Sequence, residues 1–541
     1  MHSTMMDYPL TLDHLLERAG QIFPGVEVVS RLPDKSLHRY TYGDFYRRTR
    51  ALAEALLAAG MQPGDRVATL MWNHYAHLEA YFGIPVAGGV LHTLNLRLPP
   101  PDLEYICNHA GDRFLIVDDV LLPLYERFRE RVSFDRVLVV PLTGKAVPAG
   151  LESYEDFLAG ATGSFEYPDK SEDAACGMCY TSGTTGQPKG VVYSHRSTVL
   201  HSMALALPDA TALSYRDTAL PVVPMFHANA WGVPYSATLI GARQVYPGPH
   251  LDAESLLDLF ERERVTFSAG VPTIWLGILE ALDAAPNRWH LENMRMAVGG
   301  SAVPESMIRR FKGYGMEVYQ AWGMTETSPV ASVSTERPEI SALPEDEQLD
   351  YRAKAGVPVP LVDVRIVGEE GVAPWDGKTM GEIQVRGPWV TGSYYRLDVS
   401  EEKFTPDGWL RTGDVAAIDR YSYLKITDRT KDLIKSGGEW ISSVDLENAI
   451  MGHPAVSEAA VIAVPHPKWD ERPLAVVVTK SGARVTADEL REFLEDKFAK
   501  WMLPDEFVFI DEIPRTSTGK FSKLTLRQRY EQGELKPAST A

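Results

Sequence analysis

The segment Tyr180-Thr181-Ser182-Gly183-Thr184-Thr185-Gly186-Gln187-Pro188-Lys189-Gly190 carries the densest chemistry of the chain. Its glycines let backbone N–H groups approach an anion closely, its hydroxyls add donors, and its lysine supplies positive charge. That combination suits a phosphate. It is not the G-x-x-x-x-G-K-[ST] loop, because Pro188 stands where that pattern has glycine. A flexible surface loop is the plainer alternative, and the number of aligned donors argues against it.

Four further stretches complement this loop. In Gln320-Ala321-Trp322-Gly323-Met324-Thr325-Glu326, the Glu326 carboxylate suits Mg²⁺ and Trp322 offers a flat face to a purine. Mg²⁺ bridges phosphate oxygens and takes only one or two protein carboxylates. In Trp409-Leu410-Arg411-Thr412-Gly413-Asp414, the aspartate can accept both hydroxyls of a ribose. Arg429, in the charged run Asp428-Arg429-Thr430-Lys431-Asp432, can reinforce that grip. A turn aspartate and a hinge salt bridge are the plain alternatives. In Pro514-Arg515-Thr516-Ser517-Thr518-Gly519-Lys520, the lysine suits neutralising charge that develops on a phosphoryl group, although a solvated lysine looks the same in sequence.

The elements that must hold these residues read as α/β. Apolar strand-like runs at Arg66–Trp72, Phe114–Val117 and Val137–Val140 alternate with helical patterns such as Phe45–Ala59. That alternation predicts a large N-terminal α/β domain with several largely parallel sheets. From about residue 428 the texture changes to a small α+β domain. It holds a helix near Val444–Met451, strands at Ala459–Val464 and Leu474–Thr479, and a helix opening at Thr486. Thr486 and Glu489 form a capping box, and Leu490, Phe493, Leu494 and Phe498 form one apolar stripe, read as core. The predicted division is 1–427, then 428–433 as a hinge, then 434–541 as a mobile lid.

Bulk properties narrow the function. A chain of 541 residues exceeds one core, and a net charge of −19 argues against a general nucleic-acid or anionic-membrane binder. No run of about 18 apolar residues occurs, so no integral membrane segment is expected. The opening Met1-His2-Ser3-Thr4-Met5-Met6-Asp7 lacks the basic-then-apolar order of a signal peptide, and three cysteines suit a reducing cytoplasm. Cys176 and Cys179 form a C-x-x-C pair with no second pair or adjacent histidines for zinc, and are read as inert residues on a strand.

Together and in this order the five segments resemble the adenylate-forming enzymes: acyl-CoA synthetases, peptide-synthetase adenylation domains and beetle luciferases. The resemblance runs over roughly residues 10–525. It leans toward bacterial medium- and long-chain fatty acyl-CoA synthetases through Pro224-Met225-Phe226-His227-Ala228-Asn229-Ala230-Trp231 and Lys435-Ser436-Gly437-Gly438-Glu439-Trp440-Ile441-Ser442.

The resemblance implies an ATP-dependent ligase that forms an acyl-adenylate and then an acyl-CoA thioester, releasing pyrophosphate and AMP. ATP, Mg²⁺ and coenzyme A would be required. Thr181, Ser182, Gly183, Thr184, Thr185, Gly186 and Lys189 would wrap the triphosphate, with Thr181 and Glu326 holding Mg²⁺. Gly300, Ser301 and Trp322 would line the adenine site, Gly323, Met324 and Thr325 would belong to the nucleotide site, and Asp414 with Arg429 would bind ribose. The family more often has tyrosine where Trp322 stands, which leaves open any hydrogen bond from that position. Lys520 would serve adenylation alone. Rotation about Lys431 would then bring Lys435, Ser436, Gly437, Gly438, Glu439 and Trp440 to the site for thiol attack. His227, with a catalytic role, and Trp231 would line the acid pocket, Trp231 as a tunnel gate.

Chain length is not readable, because each buried methylene contributes only about 0.8 kcal/mol. Short sulfur-containing acids such as 3-methylthiopropionate, and aryl acids, fit the same chemistry. A carrier-loading enzyme, a luciferase and a catalytically silent nucleotide sensor are more distant readings. The end of the chain near the expected end of the small domain favours free coenzyme A over a carrier, and Ser539-Thr540-Ala541 is not a peroxisomal address. Related long-chain enzymes imply a homodimer by analogy.

Overall fold

The computed structural model describes residues 1, 3–181, 187–291, 293–437, 439–517 and 519–536. Local signals start many of its helices. Thr41 and Asp44 form a capping box ahead of helix Tyr42–Ala58, and Thr486 with Glu489 does the same for helix Ala487–Glu495. The second helix ends before Phe498, so the expected stripe runs past it. There Lys497 N–H bonds Leu494 O at 3.0 Å, which tightens the last turn, and Phe498 still packs against the small core.

The large domain contains three sheets. Nine strands form the first, with six in a parallel centre: Glu317–Gly323, Arg295–Gly299, Phe267–Gly270, Thr218–Pro221, Arg243–Tyr246 and Glu27–Arg31. Antiparallel strands finish both edges, including Val330–Val333 beside Glu317–Gly323. The second sheet has seven strands, of which six are parallel and Gly190–Ser194 is antiparallel to Ala175–Tyr180. Strand Arg66–Leu70 stops short of Trp72 because the Trp72 N–H turns away to the Asp118 carboxylate at 2.8 Å.

The third sheet departs from the expected parallel pattern. Its five strands are all antiparallel: Gly371–Val372, Asp363–Gly368, Gly381–Arg386, Leu410–Ile418 and Leu424–Arg429. Their connections lack the crossover helices that a parallel sheet needs. Asp414 therefore lies within a strand rather than in a turn, directly opposite Arg429.

The smaller C-terminal domain builds its own sheet from Glu439–Ile441, Ile434–Ser436, Asp470–Thr479, Val456–His466 and Glu506–Phe509. Strand Val456–His466, at the edge of this sheet, is apolar on both faces. Ala459 and Val461 pack with Leu446, Leu490 and Leu494, whereas Ala460 and Ile462 pack with Val508 and Leu526. A strand covered on both sides reads as a continuous apolar run for this reason. Among the described residues no helix is long and apolar enough to cross a membrane.

Cys176 and Cys179 lie on strand Ala175–Tyr180 as buried free thiols. Burial pushes the Cys176 thiol up to about 12, so it stays protonated and unreactive. The Cys179 thiol donates to Asn229 Oδ1 at 3.1 Å and so braces the neighbouring 228–232 turn.

Candidate active site

A cavity of about 380 Å³ opens where the first and third sheets meet the small domain. Thr181, Lys189, His227, Trp231, Gly300, Trp322, Gly323, Met324, Thr325, Glu326, Asp414, Arg429, Lys431 and Lys520 all line it. A neighbouring cavity of about 410 Å³ shares Gly300, Trp322, Asp414, Arg429 and Lys520 and adds Ser301. Both volumes fall in the range of small-molecule sites. Ser182, Gly183, Thr184, Thr185, Gly186 and Gly438 lie outside the described residues.

The end of strand Glu317–Gly323 sets one wall. Gly323 has no room for a side chain, since a Cβ there would meet Pro329 O at 1.8 Å. That close approach turns the chain so that Thr325 and Glu326 face the cavity. Glu326 is buried, and the Tyr394 hydroxyl donates to its Oε1 at 2.7 Å. Lys189 Nζ sits 5.0 Å above the Tyr394 ring. Tyr394 has no place in any motif read from sequence. The signal is absent because the tyrosine acts through a contact spanning 68 residues.

Trp322 is also buried, and its indole N–H donates to Asp414 Oδ2 at 2.8 Å. The other Asp414 oxygen lies 3.4 Å from Arg429 Nε. The position that lacks the tyrosine hydroxyl thus keeps a hydrogen bond, made by nitrogen instead.

His227 opens a turn in which Ala228, Asn229, Ala230 and Trp231 all have positive φ, from 42° to 57°. Each such residue is strained by roughly 1–2 kcal/mol, so packing must hold the turn. Gly232 completes it at φ 76°, where a Cβ would strike His201 at 2.6 Å. The result sets Trp231 against Gly299, between the main cavity and an apolar void of about 10 Å³ lined by Leu205, Phe267 and Tyr319. Trp231 is therefore a packed aromatic and a cavity wall at once. Burial, with help from Lys520 and Arg97, pulls His227 down to about 3, so its ring is neutral near pH 7.

The small domain carries Lys520 into the cavity. A Cβ on Gly300 would lie 3.1 Å from Lys520 Cε and 3.7 Å from its Nζ. Burial first, and Arg429 second, pull this ammonium down to about 8. Contacts across the domains fix the arrangement: Asn95 donates to Ser517 Oγ at 3.2 Å, and Ser443 N–H donates to Asp428 Oδ2 at 3.1 Å. Lys523 Nζ meets Glu447 at 2.8 Å and Asp428 at 3.9 Å. Burial also lowers Lys431. By contrast Lys435, Ser436, Gly437, Glu439 and Trp440 form a hairpin that lines neither cavity, with Trp440 40% exposed.

A lysine, a carboxylate and an indole converging on one cleft of this size fit an enzyme that consumes a nucleotide. The comparisons agree. The profile described as AMP-binding enzyme matches residues 16–395, and that of the AMP-binding enzyme C-terminal domain matches residues 445–520. The chain belongs to this AMP-binding enzyme family.

It is 54% identical over 532 residues to a long-chain-fatty-acid–CoA ligase of Thermus thermophilus, covering 98% of this chain and 97% of that one. It is 44% identical over 537 residues to a 3-methylmercaptopropionyl-CoA ligase of Ruegeria pomeroyi, covering 98% and 99%. The crystal structure of an anthranilate CoA ligase with anthranoyl-AMP superposes with a TM-score of 0.88 at 24% identity, covering 99% of this chain and 100% of that one. At that identity the last likeness is one of fold. This protein is an AMP-forming acid–thiol ligase.

Proposed function

We propose that the enzyme joins a medium- or long-chain fatty acid to coenzyme A in two steps within the cleft. The observation that carries this reading is the convergence of Lys520, Trp322, Glu326 and Asp414 on one cavity that ends at Trp231. In the first step the acid's carboxylate oxygen attacks the α-phosphorus of ATP, the bond to the β-phosphate oxygen breaks, and pyrophosphate leaves. Lys520, as an ammonium, offsets the repulsion between the two anions as they approach. Trp322 stacks on adenine, Asp414 and Arg429 hold the ribose, and the 180–190 loop holds the phosphates.

Glu326 and Thr181 fit Mg²⁺: one Glu326 oxygen is anchored by Tyr394, and a single carboxylate is what Mg²⁺ needs beside phosphate. When bound, Mg²⁺ supplies neutralisation of the phosphate charge. The neutral His227 ring faces the acid without adding charge.

In the second step the thiol sulfur of coenzyme A attacks the acyl carbon, AMP leaves, and the thiol proton goes to solvent. Residues 428–433 act as the hinge between domain 1–427 and lid 434–541, with Lys431 as pivot. Rotation withdraws Lys520 and presents the Lys435–Trp440 hairpin. The exposure of that hairpin, while Lys520 occupies the cleft, supports this alternation.

A second reading, a short sulfur-containing acid, is favoured by the small void behind Trp231, about 10 Å³ as it stands. AMP release measured across straight-chain acids from acetate to palmitate, with 3-methylthiopropionate and benzoate, decides between them. A kcat/KM maximum at medium or long chains, shifted by Trp231→Ala, supports the tunnel. A maximum at 3-methylthiopropionate that Trp231→Ala leaves in place refutes it.

A further inference from the structure

The Trp322–Asp414 bond joins two sheets at the point where a nucleotide's base meets its sugar. Trp322 ends a strand of the nine-stranded sheet, and Asp414 lies in the five-stranded antiparallel sheet, 92 residues later in the chain. Three contacts fix the aspartate. The indole N–H holds Oδ2, Arg429 faces Oδ1, and the Asp414 backbone N–H donates to Thr412 Oγ1 at 3.1 Å. An ionised carboxylate has about four lone-pair sites, so the indole on Oδ2 and the guanidinium beside Oδ1 leave room on each oxygen for a hydroxyl. With both oxygens engaged from opposite sheets, the carboxylate plane cannot swing.

We propose that Trp322 is a positioning residue for ribose: its indole N–H orients the Asp414 carboxylate, in addition to the stacking its ring offers the purine. The proposal rests on the assignment of Asp414 to the ribose hydroxyls. A phenylalanine at 322 keeps an aromatic face and removes the donor on Oδ2, so that the carboxylate, held then only from the Arg429 side, can turn about its Cβ–Cγ bond. Stacking and ribose recognition thereby become separable. Loss of stacking penalises every adenine nucleotide alike, whereas loss of the clamp penalises only nucleotides whose hydroxyls Asp414 was holding.

The test is ATP–pyrophosphate exchange with ATP, 2′-deoxy-ATP and 3′-deoxy-ATP, in wild type and Trp322→Phe. Wild type prefers ATP. The variant loses roughly tenfold of that preference, the size of one hydrogen bond to a charged group. The loss appears as a higher KM, largest for ATP and smaller for each deoxy nucleotide, which keeps only one hydroxyl on Asp414. The preference is a ratio within one preparation, so a smaller active fraction cancels. Benzothienylalanine at 322, which replaces the N–H by sulfur at nearly constant shape, gives the same loss and keeps the test valid if the phenylalanine packs badly. Equal losses on all three nucleotides overturn the proposal and leave Trp322 a stacking surface. Indifference of the wild type to both ribose hydroxyls overturns the Asp414 assignment itself, a result distinguishable from failure of the clamp alone.

Discussion

Lys520 has a pH signature that separates the two half-reactions. Burial and the nearby Arg429 pull its ammonium down to about 8 from the ordinary lysine value of 10.5. The role proposed for Lys520 in adenylation requires the charged form, so on that proposal the activity is present below pH 8 and is lost as pH rises through that value. With a free-enzyme value of about 8, roughly nine-tenths of the lysine is charged at pH 7 and one-tenth at pH 9. The kcat/KM for ATP in pyrophosphate exchange therefore falls about tenfold over that interval, since this parameter reports the free enzyme.

Bound triphosphate favours the ammonium, so kcat itself holds to higher pH. Lys520→Arg keeps its proton throughout and yields a lower but flatter profile. Lys520→Ala abolishes exchange yet retains much of thioester formation from a supplied acyl-adenylate. In that second half-reaction the rate rises with pH as the thiol ionises, the opposite trend. A flat wild-type profile between pH 7 and 9, or an equal fall in Lys520→Arg, would refute the reasoning.

Two further outcomes are expected. Tyr394→Phe removes the hydroxyl that holds Glu326 at 2.7 Å, and should raise the Mg²⁺ concentration for half-maximal activity by roughly tenfold. An unchanged Mg²⁺ titration, read by activity and by Mn²⁺ binding in electron resonance, would free Tyr394 of that role. Asp428→Asn removes a charge that faces Lys523 of the small domain, while Glu447 still pairs with that lysine. Pyrophosphate exchange should fall several-fold with thiolysis of supplied adenylate kept. Equal decline in both halves would mark Asp428 as a folding residue instead.

Many of the residues singled out in sequence do line one cavity, and their signals are local. A loop of glycines, hydroxyls and one lysine announces phosphate through composition alone, and the Thr486–Glu489 capping box is complete within four residues. The alternation of apolar runs predicted largely parallel sheets for the same reason: periodicity is a property of neighbouring residues.

What the chain order could not convey is which distant side chains share a carboxylate. The five-stranded antiparallel sheet puts Asp414 opposite Arg429, and the meeting of two sheets gives it the Trp322 N–H from 92 residues away. Tyr394 reaches Glu326 in the same manner, and burial in the cleft beside Arg429 lowers Lys520 to about 8. Residue type and short-range spacing set what chemistry each segment can offer. Burial, strand register and domain contact, which exist only after folding, decide which of those groups act together.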